Sequence, residues 1–302
     1  MRIVGTGREG QVVRSLMERG ALAGHDILPL GRPELDLSSD ADSIIAALEA
    51  LRPEIIVNAA AYTAVDKAEA ERDLAFAVNA AGAEAVASAA NRLAVPLIHL
   101  STDYVFDGAK IGAYKETDET GSTGVYGASK LAGERAVLAA HDNVAILRTA
   151  WVYSPFGVNF LKTMLRLAGQ RNELAVVGDQ RGNPTSALDI ADGVIAIARN
   201  LVSGGDSVQR GIFHMSGGGD ASWAEFAEAI FAASAAVGGP SAHVTAIGTN
   251  EYPTAARRPV NSRLAGDKLE AAHGVRLPEW RSSMTDIVER LVRSDDRKRI
   301  KA

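Results

Sequence analysis

A tyrosine and a lysine stand four residues apart in the stretch VYGASKLAGE, which runs from Val125 to Glu134. On a helix, Tyr126 and Lys130 would lie one above the other on the same face. A lysine cation ~4 Å from a phenol, at an effective dielectric of ~20, favours the phenolate by roughly 4 kcal/mol and so lowers a pKa that is ordinarily about 10. The pair is therefore a candidate proton donor with its tuning charge, although the bare Tyr-x-x-x-Lys pattern is common and mostly structural.

Polar residues directly follow the apolar run LIHL, at Ser101, Thr102 and Asp103. The run is typical of a buried strand, and in an open α/β sheet ligands bind beyond the carboxyl ends of the strands. Hydride transfer to a ketone builds negative charge on the carbonyl oxygen, which then needs a proton donor and a polarising group. A hydroxyl at this strand end could hold that oxygen beside Tyr126. A turn or a helix cap is the structural alternative.

A glycine-rich turn lies near the start of the chain, where VGTGREGQ carries the spacing Gly5-x-Gly7-x-x-Gly10 between a short predicted strand and a predicted helix. Glycines there permit a tight turn and let the backbone approach a pyrophosphate at the helix N-terminus. The motif alone is a weak signal. Its place at the head of a strand–helix–strand pattern favours a dinucleotide-binding site.

The second predicted strand leads into Gly31 and Arg32, where a dinucleotide fingerprint expects an acid that bonds the ribose 2′-hydroxyl. A guanidinium suits a 2′-phosphate, so the sequence favours NADPH over NADH, which stays possible. The alternative is that Arg32 is an exposed loop charge. Asp36 and Leu37 could then lie near the adenine.

Short apolar runs alternate with longer alanine-rich stretches over the first 150 residues. The predicted strands are Arg2–Val4, Ile27–Leu30, Glu54–Asn58, Pro96–Ser101 and Val144–Thr149, and the predicted helices are Gln11–Arg19, Ser43–Leu51, Leu74–Leu93 and Tyr126–His141. This alternation predicts an α/β fold of Rossmann type, a doubly wound parallel sheet with a smaller C-terminal substrate-binding lobe. We expect an NADP(H)-binding domain at 1–150, to which the chain returns around 186–214, and a second lobe formed by 151–185 and 215–302.

The composition is that of an ordinary globular protein, with 47% hydrophobic and 23% charged residues in a chain of 302. A net charge of −5 gives no general attraction to nucleic acid or to anionic membranes. No apolar run reaches the ~18 residues of a membrane span, and no secretory signal pattern is visible, so we expect neither. Cysteine is absent, which excludes disulfides and thiolate catalysis and fits a cytoplasmic protein.

Several longer stretches together resemble the extended short-chain dehydrogenase/reductases and, more narrowly, the dTDP-4-dehydrorhamnose reductase family. In the family's order, from residue 10 to residue 264, the matching stretches are GQV, IIVNAAAYTAVDKAE, STDYVFDG, VYGASKLAGE, RTAWVY, NFLKTMLRLA, DQRGNPTSA and ARRPVNSRL. The pair STDYVFDG and ARRPVNSRL is much more specific than a glycine loop. The resemblance implies NADPH-dependent reduction of the 4-keto group of dTDP-4-dehydrorhamnose to dTDP-L-rhamnose, on a lobe that binds the sugar nucleotide.

The resemblance also implies roles for matched positions. Tyr126 would be the proton donor, Lys130 its partner and a contact to the cofactor ribose, and Thr102 the third member at the substrate carbonyl. Cofactor contacts would come from the glycine loop and the third strand end, namely Gly7, Gly10, Gln11, Val12, Ala59, Ala60, Ala61 and Thr63. Asp103 would lie beside the sugar and Trp151 would pack against its ring. Further sugar, base or diphosphate contacts would come from Asn159, Gln180, Arg257 and Asn261.

Two departures from the family pattern change these expectations. The loop GTGREGQ has a glycine where the family usually has an apolar residue, so we expect Gly5 in the strand and the function on Gly7 and Gly10. Some family members are described as dimers with Mg²⁺ held by glutamates. The corresponding places here carry Ser15, Leu188 and Arg290, with Glu289 one position off, so a three-carboxylate site for a hard metal is unsupported. We therefore expect no tightly bound metal, and a monomer or a weak homodimer.

Two other functions stay open at this point. A sugar-nucleotide dehydratase or epimerase with bound NAD is the first, but dehydration needs a second acid directly after Thr102-Asp103, where this chain has Tyr104. A non-catalytic, nucleotide-binding regulatory subunit is the second. Such a subunit could lose any of Thr102, Tyr126 and Lys130, and all three are present.

Overall fold

The computed structural model describes residues 1–204 and 206–300, with side chains described up to residue 294. Residue 205 and the last two residues of the predicted second lobe lie outside this range. In chain order the strands, β1 to β13, are Arg2–Thr6, Asp26–Leu30, Ile55–Asn58, Leu97–Thr102, Val144–Thr149, Val152–Tyr153, Glu173–Val177, Arg181–Gly182, Thr185–Ser186, Gly211–His214, Ala221–Ser222, His243–Ile247 and Asn261–Ser262.

The helices, α1 to α11, follow the same chain order. They are Gln11–Leu22, Ala41–Glu49, Val65–Ala68, Arg72–Phe76, Gly82–Arg92, Val125–Ala140, Phe160–Ala168, Ala187–Val202, Trp223–Ala236, Asp267–His273 and Trp280–Ile300. A π-helical segment, Ala77–Ala81, joins α4 to α5, so that the chain is helical from residue 72 to residue 92.

Six strands form one parallel sheet in the order β10-β5-β4-β3-β1-β2. Strand β2 therefore lies on one side of β1 and β3 on the other. The strand order reverses between β1 and β3. Ligands of open α/β sheets bind at such a switch, outside the carboxyl ends of the strands. The fold class predicted from the sequence, a Rossmann-type α/β sheet, is confirmed.

The central strands are covered on both faces. All residues of β3, β4 and β5 are buried, as expected for apolar parallel strands between helices. Alternate residues enter two separate cores: Ile55 and Val57 pack with α1 and α8, whereas Ile56 packs with α2 and α5. Burial on both sides makes this sheet a rigid support for the residues that follow its strand ends.

The remaining strands are short and form three small sheets. β11, β8 and β13 form one, β7 and β12 the second, and β6 and β9 the third. Helices α7, α9 and α11 pack here around a third core that contains Tyr153, Phe226 and Trp280. In contrast, β10 and α8 belong with the large sheet, since β10 pairs with β5 and α8 packs against α1. The division into domains at residue 150 stays a prediction.

Candidate active site

A cavity of about 800 Å³ lies at the carboxyl ends of β1 to β4. Its lining includes every residue predicted to bind the cofactor: Gly7, Gly10, Gln11, Val12, Arg32, Asp36, Leu37, Ala59, Ala60, Ala61, Thr63, Tyr126 and Lys130. The folded chain thus brings together positions that are up to 123 residues apart in sequence, from Gly7 to Lys130. One elongated ligand could touch all of them.

The glycine loop has the geometry that a phosphate site needs. Gly5 lies within β1, as expected from its departure from the family pattern. Gly7 has a φ of +98°, a backbone conformation that residues other than glycine rarely adopt. Helix α1 begins after Gly10 with no side-chain cap and no acidic residue in its first turn. Its first amide groups and its positive dipole end therefore suit a pyrophosphate.

Two arginines flank the far end of the cavity. Arg32 Nε lies 2.7 Å from Asp36 Oδ2, so the guanidinium holds the pKa of that carboxyl at about 2. Arg8, which the sequence reasoning did not single out, lies in the glycine loop, lines the same cavity and pairs with Glu34 at 2.7 Å. The backbone of Gly31 brings the two arginine-bearing loops together, because its α-carbon faces Arg8 at close range. Both arginines line the cavity, and each is paired with a carboxylate.

Tyr126 lines the cavity and lies beside Thr102. Thr102 is the last residue of β4 and Tyr126 is in the first turn of α6, and the threonine hydroxyl is close enough to the phenol to lower its pKa. Thr102 Oγ1 also lies 2.9 Å from Asp103 Oδ1. The approach is close because Gly127 has no side chain: a Cβ there would meet the Tyr104 carbonyl oxygen at 2.1 Å. The phenol and the hydroxyl can thus both reach one substrate oxygen.

The pKa of Tyr126 differs from the expectation of a lysine-lowered phenol. Burial raises the pKa of Tyr126 well above its ordinary value, and the neighbouring charge of Asp103 raises it further. Lys130 has its Nζ 2.7 Å from the Leu100 carbonyl oxygen, where it is itself buried. The phenol therefore stays protonated at neutral pH, as a proton donor for a reduction must. Lys130 acts on it here less strongly than the simple charge argument predicted.

Lys130 and Asp103 are also perturbed by burial. Desolvation lowers the pKa of the Lys130 ammonium to about 8, against the opposing charge of Glu134. Desolvation raises the pKa of the Asp103 carboxyl to about 6, against hydrogen bonds from Ser262 and Thr102. Groups whose pKa is strongly shifted by burial are typical of active sites.

Helix α6 is held in place by polar contacts on its buried side. Glu134 accepts hydrogen bonds from Ser101 Oγ and from Arg148 of β5, and both charged side chains are only 2% exposed. In the π-helical segment, Asn79 Nδ2 donates to Ser129 Oγ at 3.0 Å, and its Oδ1 accepts from the backbone of Tyr62. These contacts fix the helix that carries Tyr126 and Lys130 against the strand that carries Thr102.

Comparison with known proteins identifies this arrangement. The profile of the RmlD substrate binding domain family matches residues 1–293. A dTDP-4-dehydrorhamnose reductase from Sinorhizobium fredii is 52% identical over 288 residues, which cover 95% of this chain and 97% of that protein. The chain belongs to the dTDP-4-dehydrorhamnose reductase family. The resemblance inferred from the sequence motifs is thereby confirmed.

Solved structures of dTDP-4-dehydrorhamnose reductases share the fold over nearly the full length. The enzyme from Clostridium acetobutylicum matches with a TM-score of 0.89 and 34% identity, covering 96% of this chain and 99% of that one. The enzyme from Bacillus anthracis, solved in complex with NADP, matches with a TM-score of 0.87 and 35% identity, covering 95% and 98%.

In this member of the reductase family, two residues predicted to bind substrate have partners within the protein. The ring of Trp151 stacks on Trp223, with centroids 3.5 Å apart and planes 6° from parallel. Gly182 lies against the same indole. Asn159 caps α7 and donates from Nδ2 to Gln11 Oε1 at 2.9 Å. A sugar contact from Trp151 or Asn159 stays a prediction.

Three further substrate candidates lie around the C-terminal loop. Gln180 donates to Thr249 Oγ1, and Asn261 donates to the carbonyl oxygens of Lys110 and Gly112. Arg257 is exposed, with its charge directed toward Asp107. Their substrate contacts are likewise untested predictions.

The next residue, Arg258, ties the C-terminal loop down. Its Nη2 lies 2.6 Å from Asp66 Oδ2, and Nη1 lies 3.4 Å from the Tyr104 hydroxyl. The same carboxylate accepts from the backbone of Ala256. The loop of the reductase family motif ARRPVNSRL is therefore closed against helix α3, beside Tyr104.

Two of the positions where the family resemblance would place metal-binding glutamates make other contacts. Ser15 is buried, and Arg290 of α11 pairs with Glu18 of α1 at 2.7 and 2.8 Å. Among residues 1–204 and 206–294, no three histidine, aspartate or glutamate side chains are grouped so as to hold a metal ion. In that same part of the chain, no helix combines the length and the apolar character that crossing a bilayer requires.

Proposed function

We propose that this protein reduces the 4-keto group of dTDP-4-dehydrorhamnose to dTDP-L-rhamnose with NADPH, and that Tyr126 is the proton donor. The observation that carries the proposal is that Tyr126 and Lys130 line one cavity with the glycine loop, with Thr102 beside the phenol of Tyr126. Family membership supports the substrate class, and the NADP complex of the Bacillus anthracis relative supports the cofactor.

The residues that line the cavity suit an extended dinucleotide. The uncapped start of α1 would bind the pyrophosphate, and Arg8 and Arg32 would bind the 2′-phosphate. Lys130, at the opposite end, would hold the nicotinamide ribose. When bound, the nicotinamide would supply the hydride.

The chain's own residues would handle the proton. Thr102 would donate to the 4-keto oxygen and polarise the carbonyl group. Tyr126, kept protonated by burial, would give its proton to the same oxygen as negative charge develops there. The Lys130 ammonium would then stabilise the tyrosinate that remains, because a nearby cation favours the charged phenol.

The structure disfavours a dehydratase. Elimination of water needs an acid next to the Thr102-Asp103 pair, and that position carries Tyr104, whose ring packs edge-on against Tyr126 with centroids 5.5 Å apart. The phenol of Tyr104 is largely buried, and burial raises its pKa. It can shape the pocket, but it cannot act as a carboxylic acid.

The remaining expectations belong to the same proposal. The partner is a small-molecule nucleotide sugar, with no nucleic acid or membrane partner. The protein works in the cytoplasm, as a monomer or a weak homodimer, without a tightly bound metal. The two-domain division places the nucleotide sugar on the lobe formed by residues 151–185 and 215–302.

The direct test is NADPH oxidation by the purified protein across a panel of 4-keto-6-deoxy sugar nucleotides. We expect one NADPH consumed for each dTDP-4-dehydrorhamnose, with slower turnover of analogues that differ in base or sugar. NAD that remains bound through purification, with no consumption of added NADPH, would indicate a dehydratase or epimerase instead. NADPH binding with no oxidation of any panel member would indicate a regulatory subunit.

A further inference from the structure

A line of buried polar side chains connects the glycine loop with Lys130 underneath the cavity. Thr6 Oγ1 lies 2.7 Å from Asn58 Oδ1. Asn58 Nδ2 lies 3.0 Å from His99 Nδ1, and His99 Nε2 lies 3.5 Å from Lys130 Nζ. The four residues come from the ends or interiors of β1, β3 and β4 and from α6. The mechanism above uses only the last of them.

The direction of these hydrogen bonds is set at Thr6. The backbone N–H groups of Ala59 and Ala60 both donate to Thr6 Oγ1, at 3.1 and 2.9 Å. With both lone pairs of that oxygen engaged, its own hydrogen must point at Asn58. The Asn58 side chain therefore presents its oxygen to Thr6 and its NH₂ group to His99.

The orientation of Asn58 in turn fixes the histidine tautomer. An NH₂ group can only donate, so Nδ1 of His99 must be the bare, accepting nitrogen. A neutral imidazole then carries its hydrogen on Nε2, which faces Lys130. Burial, and secondly the charge of Lys130, hold the pKa of His99 well below its ordinary value, so the ring stays neutral.

We propose that His99 is a positioning residue for Lys130, acting through an Nε2–H that faces the lysine nitrogen. An N–H donor cannot accept a hydrogen bond from the ammonium. The hydrogens of Lys130 are therefore directed away from the histidine, one to the Leu100 carbonyl oxygen and the others toward the cavity. Only the role of those hydrogens, which is to bind the cofactor ribose and to stabilise the tyrosinate, rests on the proposed function.

Few other charged groups face Lys130. On its own helix, Glu134 raises its affinity for the proton, but that carboxylate is engaged by Arg148 of β5 and by Ser101 of β4. Tyr126, one turn before Lys130, is neutral. The histidine is thus a neutral side chain beside Lys130 that can tune the amine, next to the Leu100 carbonyl oxygen that accepts from it.

The tautomer can be read directly by ¹⁵N NMR of the full-length protein with ¹⁵N-labelled histidine. The chain has six histidines, and the signals lost in His99→Phe identify the one of interest. We expect Nε2 of His99 to be protonated and Nδ1 to be bare at neutral pH, with no titration down to mildly acidic pH. A protonated Nδ1 or a cationic ring would overturn the proposal, whether or not the protein is a reductase.

A second measurement inverts the tautomer. In Asn58→Asp, a carboxylate would accept from both Thr6 and Nδ1–H of His99, so that Nε2 becomes an acceptor for Lys130. We expect the ¹⁵N spectrum to show the Nδ1–H tautomer. We also expect the basic limb of the pH profile of kcat/KM to move up by about one pH unit, because the Lys130 ammonium gains a hydrogen bond.

The control separates this effect from the added charge. Asn58→Asp in the His99→Phe background keeps the new carboxylate but removes the imidazole. Two shifts of the basic limb are compared: the shift that Asn58→Asp causes in the wild-type protein, and the shift that it causes in His99→Phe. We expect the second shift to be clearly smaller than the first. An equal shift in both backgrounds would show that charge alone acts on Lys130, and would contradict the positioning role.

Discussion

Glu134 and Arg148 form a buried, bidentate ion pair beneath the candidate active site. Arg148 Nε lies 2.9 Å from Glu134 Oε1, and Nη2 lies 2.7 Å from Oε2. The guanidinium also lies over the ring of Phe106, 5.0 Å from its centroid. The pair joins α6 to β5, and a third partner, Ser101, joins it to β4.

Removing one charge of this pair should make the protein much less stable against unfolding. Glu134→Gln leaves a buried guanidinium uncompensated, and we expect a loss of about 3–5 kcal/mol in the free energy of unfolding. Urea unfolding followed by circular dichroism measures it. The exposed pair of Arg276 and Glu270 provides the control, since Glu270→Gln should change the free energy of unfolding little. Similar losses in the two variants would contradict a structural role for the buried pair.

The two arginines at the far end of the cavity should set cofactor preference. Arg8→Ala and Arg32→Ala should each weaken NADPH binding by roughly 10-fold to 100-fold, the value of one charge-assisted hydrogen bond, and should change NADH binding little. Fluorescence titration with both cofactors measures the ratio. Arg14→Ala is a matched control, because Arg14 pairs with Glu9 and lies over Phe156 outside this site. Equal losses for both cofactors would mean that neither arginine binds the 2′-phosphate.

His214 should make the protein less stable in acid. Burial, and secondly the charge of Arg148, lower its pKa to about 3, with Asp118 and the Tyr114 carbonyl oxygen opposing. An unfolded histidine binds its proton below about pH 6.5, whereas the folded one does not until about pH 3. Between these values the unfolded state gains protons first, so stability falls as pH falls, by about 1.4 kcal/mol per pH unit from this residue.

The measurement compares urea unfolding of wild type and His214→Gln at pH 7 and pH 5. Other groups, His99 and Asp103 among them, titrate in both proteins and cancel in the comparison. We expect wild type to lose about 2 kcal/mol more than the variant over this range. The same loss in both would show that His214 is protonated in the folded protein.

Much of the fold could be predicted from local patterns. The strand predicted at Val144–Thr149 has the bounds observed, and the helix predicted at Tyr126–His141 begins and ends one residue early, at Val125 and Ala140. The strand is a largely apolar run and the helix an alanine-rich stretch, and local patterns of this kind can be seen in the sequence. The two-residue strands after residue 150, such as β6 and β9, carry no periodic pattern of their own. Their pairing depends on contacts made only in the folded chain.

The candidate site divides in a similar way. Gly7, Thr102, Tyr126 and Lys130 are visible as motifs because their types and spacing follow from the chemistry. Arg8 was overlooked although it lies inside the glycine motif, since its role depends on the approach of the loop at Gly31. The pairing of Asn58 with His99 spans two strands, and no spacing in a single sequence indicates it.

The central claim, that Tyr126 donates the proton, is tested most directly by the rate of a single turnover in Tyr126→Phe with NADPH and dTDP-4-dehydrorhamnose. The account predicts NADPH affinity close to that of wild type and a rate of reduction lower by roughly 10²–10⁴-fold, the usual contribution of a positioned general acid. Thr102→Val should slow the same step without weakening NADPH. A Tyr126→Phe variant that reduces the sugar at the wild-type rate would contradict the account.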